Sequence, residues 1–295
     1  MRKSYAIPYL LLLESKRLLF GTKHSAEVDV TDNCNLRCRH CYHFYGKSEF
    51  EKEEAPIDVW EQRFKELHKN GVRFILLVGG EPALRKDVLM LADRMFPLVY
   101  VITNGIIKIP EGFNHRLFVS LDGSQETNDS IRGNGVFSKV INNYSGDKRV
   151  VINMTLTKDN YKELEEVVKM AKGNGFGGVV CNIFAHAMHP IDSINHLTIN
   201  NQEREGIISE MRRVKSLYPK HFLLSESMIR WYEYPDHTDS CYWGDKALHF
   251  DVSWKRRRCF ASNADCSECG CLAGSFQSFL KLLASPKEMF RIGFL

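Results

Sequence analysis

The chain has 295 residues, 44% of them hydrophobic and 26% charged, which suits one large α/β domain with an appendage or two modest domains. A net charge of +4 is too slight to imply a nucleic-acid partner. Nine cysteines, an odd number in clustered spacings, point to metal ligands in a reducing compartment and away from a secreted disulfide framework. The apolar stretch from Ile7 to Leu13 is interrupted by Glu14, Lys16 and Arg17, with no small-residue cleavage site after it. No uncharged apolar run is long enough to span a bilayer, so a soluble, cytoplasmic protein is expected.

In chain order, residues 4–20 read as an amphipathic helix with Leu10, Leu13 and Phe20 to one side of Lys16 and Arg17. Such a helix caps its own domain or makes a peripheral membrane contact. A strand over 26–31 leads into a cysteine-rich loop. Ile57, Trp60, Phe64 and Leu67 predict a helix near 57–70 that ends at Gly71. Strands follow at 73–78, 98–103, 116–121, 149–156 and 179–185, with helices near 85–95, 160–174 and 201–217. Six strands alternating with helical segments predict a parallel α/β sheet, best fitted by a partial (β/α)6 TIM-like barrel. The expected division is an N-terminal helix over 1–25, the barrel over 26–220 and a small cysteine-rich extension over 221–295.

The loop after the first strand carries Cys34, Cys38 and Cys41, spaced C-x3-C-x2-C, and then Tyr42. Three thiolates leave one iron of a [4Fe–4S] cluster without a protein ligand, and an open metal position marks a reactive site. The alternative is a structural zinc knot that adds His40 or His43. Further motifs stand at the ends of later strands, where barrels of this kind place function. These are Gly79-Gly80-Glu81-Pro82, Thr103-Asn104-Gly105 and Ser120-Leu121-Asp122-Gly123, with Arg132 ten residues beyond Asp122 and Asn153 on the fifth strand. Singly they are common turns.

Together, over residues 26–185, they resemble the radical S-adenosylmethionine (SAM) superfamily. The resemblance implies that Cys34, Cys38 and Cys41 hold a [4Fe–4S] cluster whose fourth iron is chelated by SAM. It implies SAM contacts at Tyr42, Gly79, Gly80, Glu81, Pro82, Thr103 and Asn104. It assigns the ribose to Ser120 and Asp122, the SAM carboxylate to Arg132, and a further ribose or adenine contact to Asn153. The implied reaction is reductive cleavage of SAM to methionine and a 5′-deoxyadenosyl radical, which abstracts hydrogen from a substrate shielded from water and oxygen. An external reductant such as flavodoxin or ferredoxin would supply the electron.

Cys181 on the sixth strand reads as a small core residue or, if it faces the barrel, a hydrogen donor to a substrate radical. His186, His189 and His196 read as surface residues.

Cys241, Cys259, Cys266, Cys269 and Cys271 fall within 31 residues. Four thiolates close a site, so a structural zinc is one reading. The other is a resemblance to the auxiliary-cluster extensions called twitch and SPASM domains, which Cys241-Tyr242-Trp243-Gly244 would open. Too few cysteines remain for two such clusters. One auxiliary [4Fe–4S] cluster on Cys241, Cys259, Cys266 and Cys269 is expected, with Cys271 as alternative. Between them, 248–253 reads as one strand of a hairpin.

For substrate, the apolar N-terminal helix and the basic run Lys255-Arg256-Arg257-Arg258 favour a small molecule or lipid-like anion. Trp254 and Cys259 flanking that run resemble hopanoid-type radical SAM proteins. A ribosomally made peptide is the alternative, although 33 residues before Cys34 are too few for a winged-helix peptide-recognition domain. From another class, the chain would be a non-catalytic iron–sulfur or zinc electron-transfer protein.

Overall fold

The computed structural model describes residues 21–44, 53–184, 196–239, 247–259 and 265–272, with 12–13, 15–16, 19, 241 and 243–244. The N-terminal helix call over 4–20 lies mostly outside the described residues. Those described there are helical, with Leu13 buried and Leu12 and Leu19 exposed. His186 and His189 also lie outside them.

Seven parallel strands form one open sheet in the order β6-β5-β4-β3-β2-β1-β7. They are β1 (Ser25–Asp29), β2 (Phe74–Val78), β3 (Leu98–Thr103), β4 (Arg116–Ser120), β5 (Val150–Leu156), β6 (Gly178–Ile183) and β7 (Leu248–Phe250). The connecting helices are α1 (Ile57–Lys69), α2 (Lys86–Met95), α3 (Gln125–Arg132), α4 (Val136–Tyr144) and α5 (Leu164–Gly173), followed by α6 (Asn201–Leu217) and α7 (Glu226–Trp231). The sheet does not close, so the partial barrel stands. Among the described residues no helix is long and apolar enough to cross a membrane.

Side-chain alternation gives the sheet two different faces. Ala26, Val28, Ile75, Leu77, Val99, Val101, Leu117 and Val119 are buried against the helix layer in one core with Trp60 and Phe64. Trp60, Phe64 and Leu67 of α1 sit at helical spacing, and Gly71, at φ +92°, turns the chain back towards β2. The opposite face of β1 carries Glu27 and Asp29, both wholly buried on the barrel's inner side.

Two features depart from expectation. Besides turning back on itself, β7 adds in parallel to the β1 edge, with His249 opposite Glu27. The turn-back is a short hairpin: Phe250 bridges Arg256 antiparallel, Asp251 N donates to Lys255 O and Arg257 N to His249 O, both at 3.1 Å. The β4–β5 connection contains two helices, started by Ser124, whose hydroxyl accepts from Thr127 N, and separated by Gly133 and Gly135 in positive φ.

Candidate active site

The cysteine loop leaves the C-terminal end of β1 and is held from both sides. On one side lies the Gly-Gly-Glu-Pro turn after β2. Gly80 N donates to Thr31 O at 2.7 Å and Glu81 N to Asn33 O at 2.8 Å. A Cβ on Gly79 would lie 2.6 Å from Thr31 O, and one on Gly80 would run into the Asn33 carbonyl. The glycines are needed because this backbone packs directly under the start of the cysteine loop.

Glu81 is wholly engaged inside the protein. Its carboxylate accepts from Ala83 N (2.8 Å), Thr103 Oγ1 (2.7 Å) and Asn104 N (2.7 Å), and it is 1% exposed. Burial raises its pKa, partly offset by these three donors. Glu81 therefore fixes the Thr-Asn-Gly turn beside the cysteine loop. Asn104, so held, points Nδ2 at Asn35 Oδ1 (2.8 Å) and towards Cys34 Sγ (3.7 Å).

On the other side, α3 grips residues 38–40. Arg39 N donates to Ile131 O at 2.9 Å, Arg132 Nη1 approaches Cys38 Sγ at 3.9 Å, and His40 Nε2 lies 2.7 Å from Asp122 Oδ2. The same Asp122 oxygen meets Arg132 Nε at 2.6 Å, while Oδ1 accepts from Thr155 N at 2.8 Å. Asp122 is fully buried. Burial alone would raise its pKa, but Arg132 and His40 outweigh it and hold the carboxyl well below the usual range. Both Asp122 oxygens thus have partners within the chain. Ser120 and Asn153 are opposite one another across β4 and β5, and Asn153 Oδ1 accepts from Asn182 Nδ2 at 2.8 Å. They form the polar strip of the inner face. Tyr42 is 41% exposed beside the loop.

The three loop thiols are half-buried and mutually repulsive when ionised. Burial, then Glu81 and the neighbouring thiols, push Cys34 up to about 11, and Cys38 and Cys41 are raised by burial as well. Tetrahedral zinc would space its sulfur ligands about 3.8 Å apart. Among the described residues no three cysteine or histidine ligand atoms of this loop lie within 4.8 Å of one another. His40 is committed to Asp122, and His43 Nε2 lies 3.1 Å from Asp32 Oδ1. Three neighbouring thiols, with no fourth protein ligand beside them among the described residues, fit an iron–sulfur cluster with one open iron.

Cys181 is not presented to the barrel interior. It pairs with Met154 on the helix-facing side, is 0% exposed, and burial raises its pKa far above the ordinary value. That placement does not suit a hydrogen donor.

The C-terminal cysteines meet across the open ends of the sheet. Residues 266–272 dock on the end of β6: Ile183 N donates to Gly270 O (2.9 Å) and Leu272 N to Asn182 Oδ1 (2.8 Å). Cys241 precedes β7 at the other edge and accepts from Gly244 N at 3.3 Å. Burial pushes Cys269 up to about 11, with Cys241 and Cys266 close enough to add to the rise. Cys271 N donates to Cys269 Sγ at 3.4 Å, and Cys259 is half-buried two residues after Arg257.

Sequence reasoning did not identify the inward-facing charges. Arg257 Nη2 pairs with Asp29 Oδ1 at 2.6 Å, and Trp243 Nε1 donates to Glu27 Oε2 at 2.8 Å. Two carboxylates alternating in an otherwise apolar buried strand were the available signal.

A partial parallel barrel with a three-cysteine loop at its C-terminal rim defines the class. Residues 28–197, more than half of the chain, match the Radical SAM superfamily, and the chain belongs to it. Pre-heme d1 synthase of Dinoroseobacter shibae is 29% identical over 191 residues, covering 59% of this chain and 47% of that protein. The sporulation killing factor maturation protein SkfB of Bacillus subtilis is 30% identical over 166 residues, covering 51% and 40%. The chain thus spans about half the length of these curated relatives. Among solved structures, Streptococcus suis SuiB bound to precursor peptide SuiA shares the fold with a TM-score of 0.62 at 14% identity, covering 94% of this chain and 73% of that one.

Proposed function

We propose that this chain binds SAM at a [4Fe–4S] cluster on Cys34, Cys38 and Cys41 and cleaves it reductively to start radical chemistry on a bound substrate. The observation that carries the reading is the doubly clamped loop. Asn104 and the Gly79–Gly80 backbone fix the Cys34 end, and Arg132, Ile131 and Asp122 fix the Cys38–His40 segment. A reduced [4Fe–4S] cluster held there would supply the one electron that reductive cleavage of SAM to methionine and a 5′-deoxyadenosyl radical requires. The chain's own residues orient the loop, line the inner face with Ser120, Asn153 and Asn182, and keep water from the barrel with Leu76, Val78 and Trp243.

Cys241, Cys266 and Cys269, with Cys259, hold an auxiliary cluster in this reading. The mutual nearness of Cys241, Cys266 and Cys269 supports it. The substrate in the first reading is a small molecule, favoured by the likeness to pre-heme d1 synthase. A peptide substrate is the second, favoured by SkfB, named as a maturation protein. An external flavodoxin or ferredoxin supplies electrons, in the cytoplasm.

The test is 5′-deoxyadenosine formation from SAM by anaerobically reconstituted protein under dithionite. Wild type should form it and a Cys34→Ala, Cys38→Ala, Cys41→Ala triple variant should not. Equal formation by both would refute the assignment.

A further inference from the structure

We propose that His40 is a positioning residue for the SAM-binding cluster, acting through Asp122 on the guanidinium of Arg132. The inference rests on the proposed cluster site and deepens it. His40 lies inside the ligand loop, between Cys38 and Cys41, yet its ring turns away from them, with Nε2 2.7 Å from Asp122 Oδ2. Its side chain is 7% exposed and that of Asp122 0%. The same oxygen receives Arg132 Nε at 2.6 Å. Arg132 thus has its Nε edge captured, and its Nη1 is directed at the Cys38 sulfur, 3.9 Å away.

Asp122 in turn cannot shift. Its other oxygen accepts from Thr155 N, its backbone N–H donates to Asn128 Oδ1 at 3.1 Å, and its carbonyl accepts from Asn160 Nδ2 at 2.9 Å. The end of β4, the β5 strand and the loop after it therefore fix one carboxylate, and a hydrogen bond from His40 and an ion pair with Arg132 divide it.

That division has an electrostatic consequence. A guanidinium beside a cluster sulfur favours the more negative, reduced state of the cluster, and groups around the ligands tune its potential. The share of Asp122 taken by His40 is a share not neutralising Arg132. Removing the His40 donor gives the whole carboxylate to Arg132 and weakens the positive field at Cys38. Removing the Asp122 charge does the reverse. Orientation and field are thus set from within the loop by a residue whose ring is turned to Asp122.

The experiment is an EPR-monitored redox titration of the reconstituted full chain, following the signal that SAM perturbs, with steady-state SAM cleavage alongside. His40→Ala should move the midpoint to lower potential and reduce the rate of SAM cleavage about tenfold or more, the usual scale for outer-shell partners. The KM for SAM should change much less. His40→Gln, which keeps an N–H donor in reach, should restore both.

Asp122→Asn should move the midpoint the opposite way, upward, a sign a purely structural role does not produce. If His40→Ala takes up too little iron to titrate, His40→Phe, which fills the space without an N–H donor, is titrated in its place with the same downward shift expected. Unchanged midpoints, shifts of the same sign in both variants, or failure of His40→Gln to restore would overturn the inference. A wild-type protein with no SAM-perturbed signal would instead overturn the reading of the site beneath it.

Discussion

Trp243 donates its indole N–H to Glu27 at 2.8 Å, joining the cysteine-rich C-terminal region to the inner face of β1 across 216 positions of sequence. His249, opposite Glu27 on β7, adds Nδ1 at 3.4 Å, and its Nε2 lies 2.8 Å from Trp243 O. The edge strand β7 and the segment bearing Cys241 are thereby registered against the barrel by polar contacts in a buried setting. Trp243→Phe leaves one oxygen of a buried carboxylate without its donor and should cost about 1–3 kcal/mol. Urea unfolding of the variant against wild type measures it; a loss below about 0.5 kcal/mol would count against this anchoring role.

Glu81 links two turns to the cysteine loop, so its removal should be felt at the metal as well as at SAM. Glu81→Ala leaves Ala83 N, Thr103 Oγ1 and Asn104 N without their acceptor and releases Asn104 from its place near Cys34. Iron retained after gel filtration should fall together with SAM binding. Full iron content with SAM binding alone lost would show that Glu81 contacts the ligand directly.

Gly80→Ala would press a methyl group into the Asn33 carbonyl, one residue before Cys34. Neither partner is a flexible side-chain end, so the backbone must move, at a cost of about 1–3 kcal/mol. Reconstitution should yield less bound iron than wild type, and Gly112→Ala, where nothing lies within 4 Å, serves as the matched control.

At the opposite, N-terminal end of the barrel, Arg149 pairs with Asp147 at 2.6 Å and donates to Pro110 O and Phe113 O. Burial would raise the Asp147 pKa, but hydrogen bonds and charge from Arg149 outweigh it and lower it below the ordinary 3.8. The stability this pair contributes is complete above pH 3.8 and is lost as pH falls through the lower folded value. Asp147→Asn should therefore lower stability at neutral pH while narrowing the gap to wild type on acidification. SAM cleavage at neutral pH should be unchanged, since the pair lies far from the rim.

Much of this arrangement was legible in the sequence because it depends on local rules. Continuous apolar strands announce a doubly covered parallel sheet, and the motifs fall at strand ends in order. What escaped was set by pairing between distant segments. Residues 248–250 carry no sign that, besides turning back as a hairpin, they add to β1. Nothing near Asp122 or Glu81 tells that their carboxylates engage His40, Arg132, Thr103 and Asn104. The face on which Cys181 lies follows from its register with Met154, which sequence alone does not give.

The central claim is an open cluster on Cys34, Cys38 and Cys41 that binds SAM. Its most direct test is the EPR spectrum of the anaerobically reconstituted, reduced protein before and after SAM is added, with iron, sulfide and zinc measured on the same sample. The account predicts about eight irons per chain, two clusters of four, and a signal changed by SAM. A full complement of iron whose signal SAM leaves untouched would contradict it.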